Sequence, residues 1–291
     1  MYSEKLINSL HATQKHCDIL GLNYFSSEDS KICDYVIPQI PEIHFNKTNQ
    51  NSISTTQLFT RSLENLRKYI KEDCYKQLFA IVYTTPHYQL DEESAFVNIS
   101  YKQNPLTQEI NKSGIIKSYG IPTTLYETDI ITLVHEHIHV LKDTNYYEYQ
   151  NAFVTGEVLP IFFEIINYER SRLKRMALSD RLQLLYRSKE VCLYIKEKEV
   201  NLKSSQNESS NYDIYDFAKG YAGVYLNSFY YALILYDLYK KDPIKILKLI
   251  SKVLNHQITT LELLNKLNIY CDIKSEIFEK EIKKIQKVLI P

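Results

Sequence analysis

The sequence predicts a mainly helical α+β protein: a small β-sheet, a helix built to present metal ligands, and a C-terminal helical lobe. Three observations carry that reading. Apolar residues recur at intervals of three and four almost continuously after Pro122, three short stretches between residues 77 and 120 are rich in β-branched and aromatic side chains, and 44% of the 291 residues are hydrophobic. A chain of this size can bury one large core, since single cores stop growing near about 250–300 residues. The expected organisation is one bilobal domain over 1–291, with an N-terminal helical part (1–75), a sheet with the ligand-bearing helices (76–183) and a C-terminal helical lobe (184–291).

Residues 2–20 have helical spacing, and 26–56, with Pro38, Pro41 and the polar run FNKTNQNSIST, read as irregular chain. Phe59, Leu63, Leu66 and Ile70 then place one apolar face on a helix of about four turns. QLFAIVYT (77–84), AFVNISY (95–101) and GIIKSYG (114–120) are bounded by Pro, Asp, Asn and Gly and read as strands of one sheet. Thr124 and Glu127 have the spacing of a capping box, which starts a helix over 124–142. Later helices are expected over about 156–182, 184–202, 214–240, 242–255 and 272–289, with KSSQNESSNYD (203–213) as a loop. The amphipathic end, IKSEIFEKEIKKIQKVLI, is expected to dock on its own core.

The 35 basic and 35 acidic residues cancel, and no basic stripe is visible, so a nucleic-acid partner is not expected. Five scattered cysteines without a CxxC pair read as reduced core residues. The absence of a leader-like N-terminus and of any run of about 20 apolar residues gives the expectation of a cytoplasmic protein without a membrane partner.

The chemistry concentrates in His135-Glu136-His137-Ile138-His139, an HExxH sequence. Four residues along a helix give about 40° of rotation and roughly 6 Å of rise, so His135 and His139 project side by side and can share one metal ion. Neutral imidazole is a preferred zinc ligand, and a catalytic zinc has three protein ligands with a fourth position open to water. Glu136 then lies where a carboxylate can take the proton of an attacking water. His137 points roughly 200° away from His135 and reads as a packed or surface histidine. A third ligand must come from the following helix, where Glu157 and Glu164, seven residues apart, both qualify. Pro160 between them is tolerable only near a helix start.

The helix HEHIH, the segment VTGEVLPIFFE (154–164) and the 24 residues between His139 and Glu164 resemble the thimet oligopeptidase and oligoendopeptidase F family of zinc peptidases. That resemblance implies a zincin-like peptidase core that hydrolyses oligopeptides or flexible segments with one zinc per chain. It implies Glu164 as third ligand beside His135 and His139, Glu136 as base, and Glu157 as a residue orienting an imidazole. It further implies that GIIKSYG is an edge strand that pairs with substrate peptide, and that KGYAGVYLNSFYYALILY (219–236) supplies Tyr221 and Tyr225 as oxyanion donors. One part of the family's pattern is missing: no histidine occurs between His139 and His256. The resemblance covers residues 95–240, and the chain is roughly half the family's usual length. LVHEHIHVL is also similar to the zinc helix of clostridial neurotoxin light chains, whose third ligand lies farther downstream. Two alternatives therefore stand beside a general oligopeptidase: a narrow-specificity processing or toxin-like protease, and a non-catalytic protein whose zinc staples two helices.

Overall fold

A computed structural model of the chain describes residues 27–42, 51–84, 88–91, 96–103, 110–143, 148, 151–169, 171–204, 212–270 and 272–289. The helix expected over 2–20 lies outside them. Helix α1 (Ser27–Val36) and a 3-10 turn (Ile37–Gln39) occupy a stretch expected to be irregular. Ile32, Val36 and Ile40 are all buried there, the four-residue spacing of one helical face, which the polar residues between them and Pro38 obscure. Helix α2 (Thr55–Arg67) opens with a capping box between Ser54 and Gln57 and buries Leu58, Phe59, Leu63 and Leu66.

QLFAIVYT is helical: it forms the end of α3 (Glu72–Thr84). The correction follows from periodicity. Cys74, Leu78 and Val82 are the buried positions, four residues apart, and Glu72 and Asp73 in the first turn suit the positive end of the helix dipole. The β-branched content of the segment was the weaker signal.

Strands β1 (Tyr88–Asp91), β2 (Phe96–Gln103) and β3 (Ile110–Pro122) form a sheet in the order β1-β3-β2. β2 runs antiparallel to β3 from Phe96↔Gly120 to Gln103↔Ile110, with a register irregularity at Tyr101 and Lys102. β1 runs parallel to the end of β3, from Tyr88↔Tyr119 to Asp91↔Pro122. GIIKSYG lies in the middle strand, where β1 covers Tyr119 and Gly120; Ile115–Ser118 pair with β2 alone among the described residues, so that part keeps the open side expected of an edge. β1 has only four residues, too few to register as an alternating pattern in the sequence.

Helix α4 (Asp129–Lys142) carries HExxH and begins five residues later than expected. Thr124 and Glu127 form no capping box. Glu127 instead accepts from Arg61 (3.1 Å) and from Arg172, and the Asp129 carboxylate reaches back to the Tyr126 amide (2.7 Å). After the short helix α5 (Ala152–Thr155), the helix expected over 156–182 is divided into α6 (Val158–Tyr168) and the start of α7 (Lys174–Ser204). The long helix α8 (Tyr212–Lys241) leads through α9 (Pro243–Leu254) to α10 (Thr260–Lys266) and α11 (Ser275–Leu289). α10, absent from the sequence-based expectation, starts with a capping box between Thr259 and Glu262.

α4 packs between α2 and α6, while α8 packs against α1, α6, α7, α9 and α11. One hydrophobic cluster runs through these contacts, from Ile32 in α1 to Ile285 in α11. The terminal helix docks through Phe278, Ile282 and Ile285, as its amphipathic pattern implies. Cys33, Cys74 and Cys192 are buried. Among the described residues no helix is long and apolar enough to cross a membrane.

Candidate metal centre

α4 is buried on nearly every side: Leu133, Val134, Ile138 and Leu141 are each fully enclosed. Its two inward faces divide the histidines. His137 turns toward α2, where its Nε2 lies 2.9 Å from the Ser62 hydroxyl and its ring packs near Phe59. Burial alone pushes its pKa down to about 3. It is a neutral packing residue away from the other two imidazoles.

His135 and His139 turn toward α6. Their Nε2 atoms are 3.1 Å apart, and the Glu157 carboxylate closes a triangle, Oε2 standing 3.0 Å from Nε2 of His135 and Oε1 3.4 Å from Nε2 of His139. Glu157 is the N-cap residue of α6. Pro160 falls in the first turn of that helix, where its missing N–H removes no internal bond.

Glu164, two helical turns along α6 on the same face, lies on the other side of the His135 ring: its Oε1 is 2.7 Å from Nδ1. The places expected for the two glutamates are thus exchanged. Glu157 faces the shared side of the imidazole pair, and Glu164 stands behind one imidazole. The seven-residue interval was right for placing both on one face, but which of them met Nε2 depended on where α6 begins.

Each imidazole is held from behind by a carboxylate. Glu164 accepts from Tyr168 Oη (2.7 Å) and from Arg181 through Nε (2.8 Å) and Nη2. The Asp143 Oδ2 atom sits 2.8 Å from Nδ1 of His139, and its Oδ1 meets the Lys142 ammonium. A carboxylate at Nδ1 takes that N–H and leaves Nε2 free to ligate. Tyr168 follows Glu164, and Asp143 follows His139, by four residues, so both partners were readable from helical spacing. Arg181, across the break between α6 and α7, left no such signal.

The electrostatics favour positive charge between these groups. Burial would raise Glu157 and Glu164, but His139 and His135 hold Glu157 well below the usual carboxylate range, and Arg181 with His135 holds Glu164 at about 2. Burial would depress both ligand-like histidines, yet Glu164 and Glu157 raise His135, and Glu157 with Asp143 takes His139 up to about 10. Glu136, only 9% exposed, differs from these two acids: burial pushes its carboxyl up, against the opposing pull of His135 and His139. A buried carboxyl so perturbed beside paired imidazoles marks a candidate for proton transfer.

The donor set fits a tetrahedral ion. With metal–ligand distances near 2.0–2.2 Å, two donors of a tetrahedral ion lie about 3.3 Å apart; the two Nε2 atoms are 3.1 Å apart, and each has one oxygen of the Glu157 carboxylate at a similar distance, Oε2 at 3.0 Å from His135 and Oε1 at 3.4 Å from His139. Oε2 of Glu157 is buried and makes no hydrogen bond, as expected of an atom reserved for an ion. Among the described residues His135, His139 and Glu157 form the group of side chains able to hold a metal.

A crystal structure from Bacillus anthracis str. Ames, carrying a provisional oligoendopeptidase F assignment, superposes with a TM-score of 0.54 over 99% of this chain at 12% identity. The two chains share a fold. This chain spans 56% of that protein's length. No protein-family model and no curated sequence matches the chain. Of the two tyrosines expected near the centre, Tyr225 on α8 is half-buried and packs against the hydrophobic core, and the Tyr221 side chain lies outside what the structure describes.

Proposed function

We propose that this protein is a zinc-dependent peptidase that hydrolyses peptide bonds in oligopeptides or flexible segments. The observation that carries the reading is the triangle of His135 Nε2, His139 Nε2 and a Glu157 carboxylate, next in sequence to the buried Glu136. Two imidazoles and a glutamate are a set of ligands found at catalytic zinc sites that keep a position open. Zinc held there would supply Lewis acidity toward water and toward a substrate carbonyl.

The chain's own residues supply the rest. Glu136 takes the proton of the attacking water and returns it to the nitrogen of the leaving amine. Glu164 and Asp143 keep the Nδ1 protons in place and fix both ring planes. Arg181 and Lys142 balance those two carboxylates, so that their charge orients the histidines without needing a proton of its own. Tyr221 and Tyr225 on α8 are the proposed donors to the developing oxyanion. The fold shared with the Bacillus anthracis protein supports this reading.

The deciding experiment is metal analysis beside digestion of a peptide library by wild type and Glu136→Gln. One zinc per chain in both proteins is expected, with turnover lowered by about 10²–10⁴ in the variant, the usual worth of a general base. Equal cleavage by both would remove Glu136 from the mechanism. Zinc without cleavage by wild type would favour an ion that only joins α4 to α6.

A further inference from the structure

Lys142, in the last turn of α4, is fully buried with no exposed side-chain surface. A lysine is almost never enclosed in this way unless it is paired. Its ammonium meets Oδ1 of Asp143 and lies 3.8 Å from Oε1 of Glu148. Glu148 is itself fixed from the far side by Thr260, which donates its backbone N–H (2.7 Å) and its hydroxyl. Asp143 divides its oxygens, one to Lys142 and the other to Nδ1 of His139. The contacts form an unbroken line from the first residue of α10 to an imidazole of the metal triangle: Thr260, Glu148, Lys142, Asp143, His139.

We propose that Lys142 is a positioning residue for the metal centre, setting the Asp143 carboxylate that aligns His139 and tying that alignment to the docking of α10 through Glu148 and Thr260. The inference rests on the metal-site reading above. Three features separate this arrangement from a stabilising ion pair. The ammonium is shared between two carboxylates from different segments. One of those carboxylates is committed to a ligand. The other is held by an element more than 110 residues away in sequence. A buried pair is weak evidence for stability, because apolar replacements are often as stable. A pair that fixes the orientation of a metal-binding imidazole has a consequence that apolar replacements cannot reproduce.

The test uses the full chain, with zinc affinity measured by competition against a fluorescent chelator and geometry followed by the visible absorption of the cobalt-loaded protein. Wild type is measured first, and one tight zinc establishes the site independently of Lys142. Lys142→Met, which keeps the stem and removes the charge, is expected to weaken zinc binding by about 10–100-fold and to alter the cobalt bands. Glu148→Gln and Thr260→Val, which leave Lys142 in place, are expected to weaken binding in the same direction by a smaller factor. They carry the test if Lys142→Met does not fold. Phe278→Leu, in the buried face of α11, serves as a control of comparable destabilisation and should leave zinc affinity and cobalt bands unchanged. Wild-type affinity in all three variants of the line, or an equal loss in the Phe278 control, would overturn the proposal. A wild type that binds no zinc would overturn both the proposal and the site reading beneath it.

Discussion

Both nitrogens of His135 are engaged, Nε2 facing Glu157 and Nδ1 facing Glu164, and this divides the consequences of changing the two acids. Glu157→Ala removes a donor from the triangle and is expected to abolish stoichiometric zinc. Glu164→Gln keeps the triangle and loses only the charge behind the ring, so zinc should still bind, about 10–100-fold more weakly. Atomic absorption after dialysis against a weak chelator separates the two; the reverse pattern would return Glu164 to the ion. At this scale the sequence was informative wherever the helix geometry was local. The pairing of His135 with His139 follows from four-residue spacing, and so does the opposite orientation of His137; its burial against Ser62, 75 residues away, does not. The choice between Glu157 and Glu164 was not local. It depended on where α6 begins, which spacing from His139 does not specify.

Glu127 shows how an element boundary can mislead and still matter. Its side chain, free of the capping box, joins Arg61 of α2 and Arg172 ahead of α7 just before α4 starts. Burial would raise its carboxyl, and the two guanidinium groups outweigh this and lower it from 4.5. The folded state therefore binds its proton less readily than the unfolded chain. The stabilisation is present above about pH 4.5 and is lost as pH falls through the lower folded value. Glu127→Gln should cost about 1 kcal/mol at pH 7, since both partners reach out toward solvent, and the gap to wild type should be smaller in melts at pH 3. Thermal melts at the two pH values check this; a gap that widens in acid would contradict it. The elements the sequence hid share a cause. α1 and α3 were misread because composition was weighed above the spacing of their buried residues, and α10 because seven residues give too little periodicity, although its Thr259 and Glu262 have the same spacing that was trusted at Thr124 and Glu127.

For the whole molecule, the helical predominance and the docking of the last helix were legible because they rest on apolar periodicity summed over many turns. The topology of the sheet was not, since a four-residue strand such as β1 leaves almost no pattern. Zinc bound by α4 and α6 should stabilise the entire cooperative unit, because the unfolded chain does not hold the triangle together. At a free zinc concentration 100 times the dissociation constant the gain is about 2.7 kcal/mol, a rise in melting temperature on the order of 5–10 °C for a chain of this size. The rise should grow with zinc concentration and vanish in His139→Ala; a melting temperature indifferent to zinc in wild type would argue against the centre.

The two nitrogens of the donor set decide which ions compete for it. His135 and His139 offer imidazole, whereas calcium gathers six to eight oxygen ligands. An alkaline-earth ion is too demanding of oxygen for these three side chains. Selection by imidazole nitrogen leaves the late first-row divalent ions as the competitors, among which copper binds more tightly than zinc in most nitrogen and oxygen sites. Which of them fills the protein in a cell is then decided by supply rather than by the pocket.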